Sequence, residues 1–171
     1  VSDMGPAQTE KWFDYLENPE EMNWDGRLEI DLPEYPGVTF RCYPEKMEAV
    51  TENEITPLYT GMPIWNTYFC DLTGDGLPDL CSTVTFGSGI IDSRIIVCDY
   101  ANGESYTLED RGKYDYSLRL DGSDGSLCVV QRAHDSGDIA AVGELFFSDS
   151  GLHLQVTKTN FETHKFTSVT I

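Results

Sequence analysis

The stretch YFCDLTGDGLPDLCSTV, Tyr68 to Val84, decides the fold. An apolar, aromatic run enters a loop rich in Asp and Gly, and a run of small and β-branched residues leaves it. Strand formers on both sides of a short turn of Gly, Asp and Pro mark two consecutive antiparallel strands. A helix cannot cross this stretch, because Gly74, Gly76 and Pro78 fall at alternate positions inside it.

The same alternation of short runs and turn residues continues in both directions. It predicts strands near 27–32, 37–43, 46–51, 54–60, 65–71, 79–86, 93–100, 104–109, 114–121, 127–133, 140–148, 152–158 and 164–170. ANGE (101–104), DGSDGS (121–126) and SDSG (148–151) carry hairpin chemistry between them. The expected fold is a mainly β, antiparallel meander arranged as a barrel, a sandwich or blade-like sheets. One segment reads differently. PAQTEKWFDYLENPEEM (6–22) spaces Trp12, Phe13, Leu16 and Met22 as a helix does, with Pro6 near its start and Pro19 at its end. An N-terminal helical segment is therefore expected within residues 1–24, in a single domain spanning 1–171. Residues 65–109 and 114–158 each read as four strands, and IIVCDYANGESYTL is echoed by GELFFSDSGLHLQV. Four-stranded units of this length suggest propeller blades. The chain has room for three such units at most, so a closed propeller is excluded.

Thirty acidic residues against eleven basic ones give a net charge of −19. That charge repels polyanions, so nucleic acid is not an expected partner. No apolar run reaches the length of roughly 20 residues that a spanning helix needs, and no direct membrane insertion of this chain is expected. The chain opens on Val1 without a signal peptide, as a trimmed piece of a longer protein would. Five cysteines, Cys42, Cys70, Cys81, Cys98 and Cys128, show neither CxxC spacing nor a histidine at zinc-finger distance. They read as buried thiols in strand-like runs. Cys70 and Cys81 flank the acidic loop and would face each other only if the strand register allowed it.

The loop itself has the donor pattern of a calcium site. Asp71, Asp75 and Asp79 would supply carboxylates, Thr73 a hydroxyl and Leu77 its backbone carbonyl, from alternate positions. Gly74 and Gly76 would let the chain curl around the ion. Ser82 stands where an EF-hand has its bidentate glutamate, so this is not an EF-hand. Affinity in the range of extracellular modules, on the order of 10⁻⁴–10⁻³ M, is expected. The alternative is an acidic turn in which Asp71 and Asp75 accept backbone amides.

The strand–loop–strand context resembles the calcium loop of FG-GAP and related β-propeller repeats, with Thr73 in place of their usual Asn or Asp. The longer run from GMPIWNTYFCDLTGDG to YTLEDRGKYDY, residues 61–116, resembles an uncharacterised extracytoplasmic domain of Firmicutes, largely clostridial gut bacteria, and the similarity covers residues 27 to about 158. In that family the domain stands C-terminal to BlaR-type sensor metallopeptidases. The resemblance implies an extracytoplasmic location (secreted, lipid-anchored, or the outer part of a membrane protein) and a sensing or interaction role. The peptidase zinc motif His-Glu-x-x-His is absent from this chain, so no catalytic residue carries over.

Other features read as structure first. FGSGIID (86–92) lacks nucleophile-elbow spacing and reads as a glycine-rich turn. His134 stands beside Asp135 and Asp138 in a solvated loop, with His153 and His164 elsewhere in the last forty residues. Tyr100, Tyr106, Tyr114 and Tyr116 would form a sugar-stacking face if exposed, or core and cross-strand pairs if not. The expected function is a non-enzymatic interaction or sensor domain steadied by one structural calcium ion, with an unknown protein or glycan as ligand. A carbohydrate- or cell-wall-binding module is the alternative, followed by a small carboxylate-dependent hydrolase.

Overall fold

A computed structural model describes residues 9–86, 92–108 and 114–159. Strand β1 (Glu10–Asp14) is followed by one 3₁₀ turn (Pro19–Glu21) and then by twelve further strands. They are β2 (Leu28–Asp31), β3 (Thr39–Cys42), β4 (Lys46–Val50), β5 (Ile55–Thr60), β6 (Ile64–Cys70), β7 (Asp79–Phe86) and β8 (Asp92–Asp99). The remainder are β9 (Glu104–Thr107), β10 (Tyr114–Leu120), β11 (Leu127–Ala133), β12 (Ile139–Ser148) and β13 (Gly151–Lys158). All ladders are antiparallel. They form three sheets, ordered β2-β3-β4-β5, β1-β6-β7-β8-β9 and β10-β11-β12-β13, and none closes into a barrel. The strand expected at 164–170 and the turn glycines Gly87 and Gly89 lie outside the described residues.

The first and third sheets are simple meanders, and the middle one, a β6–β9 meander with β1 added beside β6, is covered on both faces. Ile64, Phe69, Leu80, Val84, Ile96 and Cys98 of the middle sheet pack with Phe40, Met47, Ala49 and Tyr59 of the first. Tyr68, Cys81, Ile95 and Val97 point the other way and pack with Tyr116, Leu118, Val129 and Leu145 of the third. Double burial explains why β7 and β8 read as continuous runs rather than alternating polar and apolar. Polar residues inside this sheet are paired across layers. Tyr59 Oη lies 2.6 Å from Ser82 Oγ, which lies 2.8 Å from Thr67 Oγ1. On the opposite face, Leu118 N donates to Thr83 Oγ1 at 2.9 Å, and Asn66 Nδ2 donates to Leu118 O at 2.9 Å. These bonds dock β10 onto the middle sheet.

The N-terminal helix is not formed. Residues 10–14 are a strand that pairs with β6, with Glu10 opposite Phe69 and Asp14 opposite Asn66. A bulge between Lys11 and Phe13 breaks the strict alternation. It lets the adjacent rings Trp12 and Phe13 both reach the first core, where Trp12 stacks on Phe69 at 5.7 Å. Leu16, which a helical stripe would bury, stays 43% exposed. The strand ends at Asp14, a buried carboxylate that accepts from Leu16 N at 2.9 Å, Glu17 N at 3.1 Å and Asn66 Nδ2 at 3.2 Å, and also from Tyr68 Oη.

All five cysteines are free and buried. The β6–β7 register sets Cys70 opposite Asp79 and Cys81 opposite Tyr68, so the two thiols are not cross-strand partners.

Candidate metal centre

The loop between β6 and β7 is organised by its own carboxylates. Asp71 Oδ1 accepts from Gly74 N and Oδ2 from Gly76 N, each at 2.8 Å. The two glycines sit at φ of +81° and +85°, where an L side chain is strained. Asp75 Oδ1 accepts from Leu77 N at 2.9 Å. Asp79, the fully buried first residue of β7, accepts from Leu72 N at 2.8 Å and Thr73 N at 2.9 Å through Oδ2. Thr73 Oγ1 donates to Asp79 Oδ1 at 3.3 Å. Tyr35 Oη, from the β2–β3 connection, donates to Pro78 O at 2.7 Å and fastens the loop to the first sheet.

A fourth carboxylate comes from the next hairpin. The β7–β8 register pairs Leu80 with Cys98, which brings Asp79 alongside Asp99. Asp99 holds its own turn by accepting from Asn102 N at 3.1 Å and Asn102 Nδ2 at 2.8 Å. Asn102 Nδ2 also reaches Asp75 Oδ2 at 3.4 Å. One oxygen from each of Asp75, Asp79 and Asp99 lies within 4.8 Å of the other two. Oxygens that share a calcium at 2.3–2.6 Å lie no more than about 5.2 Å apart, so the triad meets that limit. An all-oxygen set suits a hard cation and does not suit zinc.

Of the five residues expected to hold the ion, the structure brings Asp75 and Asp79 into this triad. Asp71 stands outside the triad and accepts from the Gly74 and Gly76 amides, Thr73 donates its hydroxyl to Asp79, and Leu77 donates its amide to Asp75 Oδ1. Asp99 and Asn102 were not expected. Their signal lay in CDYANG (98–103), an Asp ahead of an Asn-Gly turn, read together with the strand register.

The electrostatics are those of uncompensated negative charge. No ion pair among the described residues reaches Asp75, Asp79 or Asp99. Burial pushes the Asp79 carboxyl up to about 6, against the pull of the Thr73 and Leu72 amides, with Asp99 and Asp75 adding repulsion. Burial, followed by the same three carboxylates, also holds the Tyr35 hydroxyl well above its ordinary range.

The remaining candidates fall elsewhere. His134 Nδ1 lies 3.1 Å from Asp115 Oδ2, on the neighbouring strand, and Asp115 Oδ1 accepts from Ser93 N at 3.0 Å. His153 Nε2 lies 2.8 Å from Ser150 Oγ on the exposed β12–β13 hairpin. His164 lies outside the described residues. Tyr116 is buried, whereas Tyr106 and Tyr114 are half-buried against the second core and Tyr100 against the first. No family model matches the chain, and no curated protein and no solved structure shows significant similarity to it.

Proposed function

We propose that this domain is a non-enzymatic interaction or sensor module that works outside the cytoplasm and is steadied by one calcium ion. The observation that carries the reading is the convergence of Asp75, Asp79 and Asp99 from two hairpins, with no ion pair among the described residues reaching any of them. Three carboxylates this close repel one another, and a divalent cation at millimolar concentration offsets that repulsion. The ligand set is Asp75, Asp79 and Asp99. A half-turn of the Asn102 amide would add its carbonyl oxygen. The ion's role is structural, since it would clamp the 71–78 loop to the 99–103 turn. The extracytoplasmic setting rests on the family resemblance of residues 27 to about 158 and on the weak affinity that this ligand count gives.

The hydrolase reading has one feature in its favour, the raised Asp79 beside a second carboxylate. A general acid must touch its substrate. Asp79 is fully buried with its oxygens turned onto loop donors, so the non-enzymatic reading is preferred.

Thermal unfolding in EDTA and in calcium up to about 10 mM tests the proposal, with magnesium as control. Saturation by 10 to 100 times the dissociation constant stabilises by about 1.4–2.7 kcal/mol, or about 3–10 °C for a domain of this size. The double variant Asp75→Asn/Asp99→Asn should lose that shift. An unchanged midpoint in wild-type protein would remove the metal from the proposal.

A further inference from the structure

We propose that Asn102, in the β8–β9 turn, is a site of self-modification, where attack by the following backbone nitrogen converts its side-chain amide into a carboxylate. The reaction needs no bound ion. Of the six asparagines, only Asn102 is followed by glycine. Glycine leaves its nitrogen unshielded, because no Cβ stands beside it. Both residues are exposed. A Cβ built at Gly103 would meet no atom within 4 Å, so there is open space beside that nitrogen. Two restraints must open first: the bond from Gly103 N to Tyr100 O at 3.2 Å and the hold of Asp99 on Asn102 Nδ2. Both belong to the turn that leads into β9, the last strand of its sheet, where opening is a local event. In the reaction, Gly103 N bonds to Asn102 Cγ, the Cγ–Nδ2 bond breaks, and the Gly103 amide proton leaves with Nδ2 as ammonia. Water then opens the cyclic imide. Addition at Cγ leaves an aspartate, and addition at the backbone carbonyl leaves an isoaspartate, whose main chain runs through the former side chain.

The surroundings of Asn102 give the exchange its effect. Asn102 Nδ2 donates to Asp99 Oδ2 at 2.8 Å and to Asp75 Oδ2 at 3.4 Å. In the product an anionic oxygen replaces that donor, so two attractions become two repulsions. Asp99 is buried, and water screens the new charge from it poorly. Tyr100, in the same turn, packs edge-on against Tyr35 at 5.2 Å and Phe40 at 5.1 Å. Loosening the turn therefore weakens a tie between the first and middle sheets. The conversion runs one way in water, so the modified fraction rises with the age of the molecule.

Peptide mapping by mass spectrometry tests this, on protein held folded in EDTA at mildly alkaline pH. The amide-to-acid mass gain should build up at Asn102 at least about tenfold faster than at the exposed Asn23 and Asn53, whose following residues carry a Cβ. Gly103→Ala should slow it by a similar factor. Equal gain at the three positions, an unchanged rate in Gly103→Ala, or a gain seen only in urea would overturn the proposal. Asn102→Asp, which installs one product directly, should lower the unfolding midpoint in EDTA by about 3 °C or more. It should also speed amide exchange across β9, residues 104–107. Asn53→Asp adds the same charge on the β4–β5 turn and should shift the midpoint by less than about 1 °C. Equal shifts by the two variants would reduce the effect to added net charge and overturn the coupling to Asp99 and Asp75.

Discussion

Asp79→Asn should stabilise the protein in the absence of calcium, although it alters a fully buried, hydrogen-bonded residue. Asn copies the neutral acid: its carbonyl can accept from Leu72 N and Thr73 N, and its amide can face Thr73 Oγ1. What it removes is a buried negative charge whose protonation is raised from an ordinary 3.8 to about 6. At 1.36 kcal/mol per pH unit, that gap has a ceiling of about 3 kcal/mol, and a gain of about 1–3 kcal/mol is expected in EDTA at pH 7. The sign also fixes a pH profile. Between 3.8 and about 6 the folded protein binds more protons at Asp79 than the unfolded chain does, so this group's contribution to stability falls as pH rises. Wild type and variant should therefore be closest near pH 4 and diverge up to about pH 6. Saturating calcium should narrow or reverse the difference, because only wild-type protein gains about 2.7 kcal/mol at 100 times the dissociation constant. Urea titrations from pH 4 to 7, with and without calcium, measure all three effects. A variant less stable than wild type in EDTA at pH 7, or a difference that does not change with pH, would refute the reasoning.

Other substitutions separate different sources of stability. Gly76→Ala meets no atom within 4 Å but must hold φ at +85°, so it should cost about 1 kcal/mol by denaturation. Gly143→Ala needs no positive φ, yet its Cβ would overlap the carbonyl oxygen of Gln155 on β13; it should cost more than Gly76→Ala in the same denaturation. Asp14→Ala would strand the buried donors of Asn66 and Tyr68 and should cost about 3 kcal/mol or more, with Asp14→Asn in between. All five thiols are buried, and burial pushes the Cys42 and Cys81 thiols upward, so a thiol reagent at about pH 8 should react only after unfolding.

The strands were legible because turn chemistry announces their ends. Asn102-Gly103 and the 121–126 run sit where the sequence places hairpins, and the twelve described strands after the first turn match the expected ranges closely. The N-terminal segment was not legible. Trp12 and Phe13 are neighbours on one core only because a bulge interrupts β1, and the sequence carries no mark of a bulge. At the candidate site, Asp75 and Asp79 were visible from loop spacing alone. Asp99 comes from a strand paired through Leu80 and Cys98, information that resides in the register rather than in any local pattern. The tyrosines illustrate the reverse limit: an alternating aromatic run does not say which face is outward, and Tyr116 faces in.

Strand β1 belongs to the middle sheet, yet the whole first sheet, residues 28–60, lies between it and its partner β6 in the chain. During synthesis at about 5–20 residues per second, Trp12 and Phe13 are made several seconds before residues 64–70 exist to pair with them. The first meander must then form inside a loop whose two ends become a single ladder. Its completion is tied to a strand made after it, so the N-terminal layer cannot mature as a separate piece. A chain stopped near residue 60 would display an unpartnered aromatic ribbon beside an uncovered sheet, which is the kind of surface that chaperones and proteases recognise.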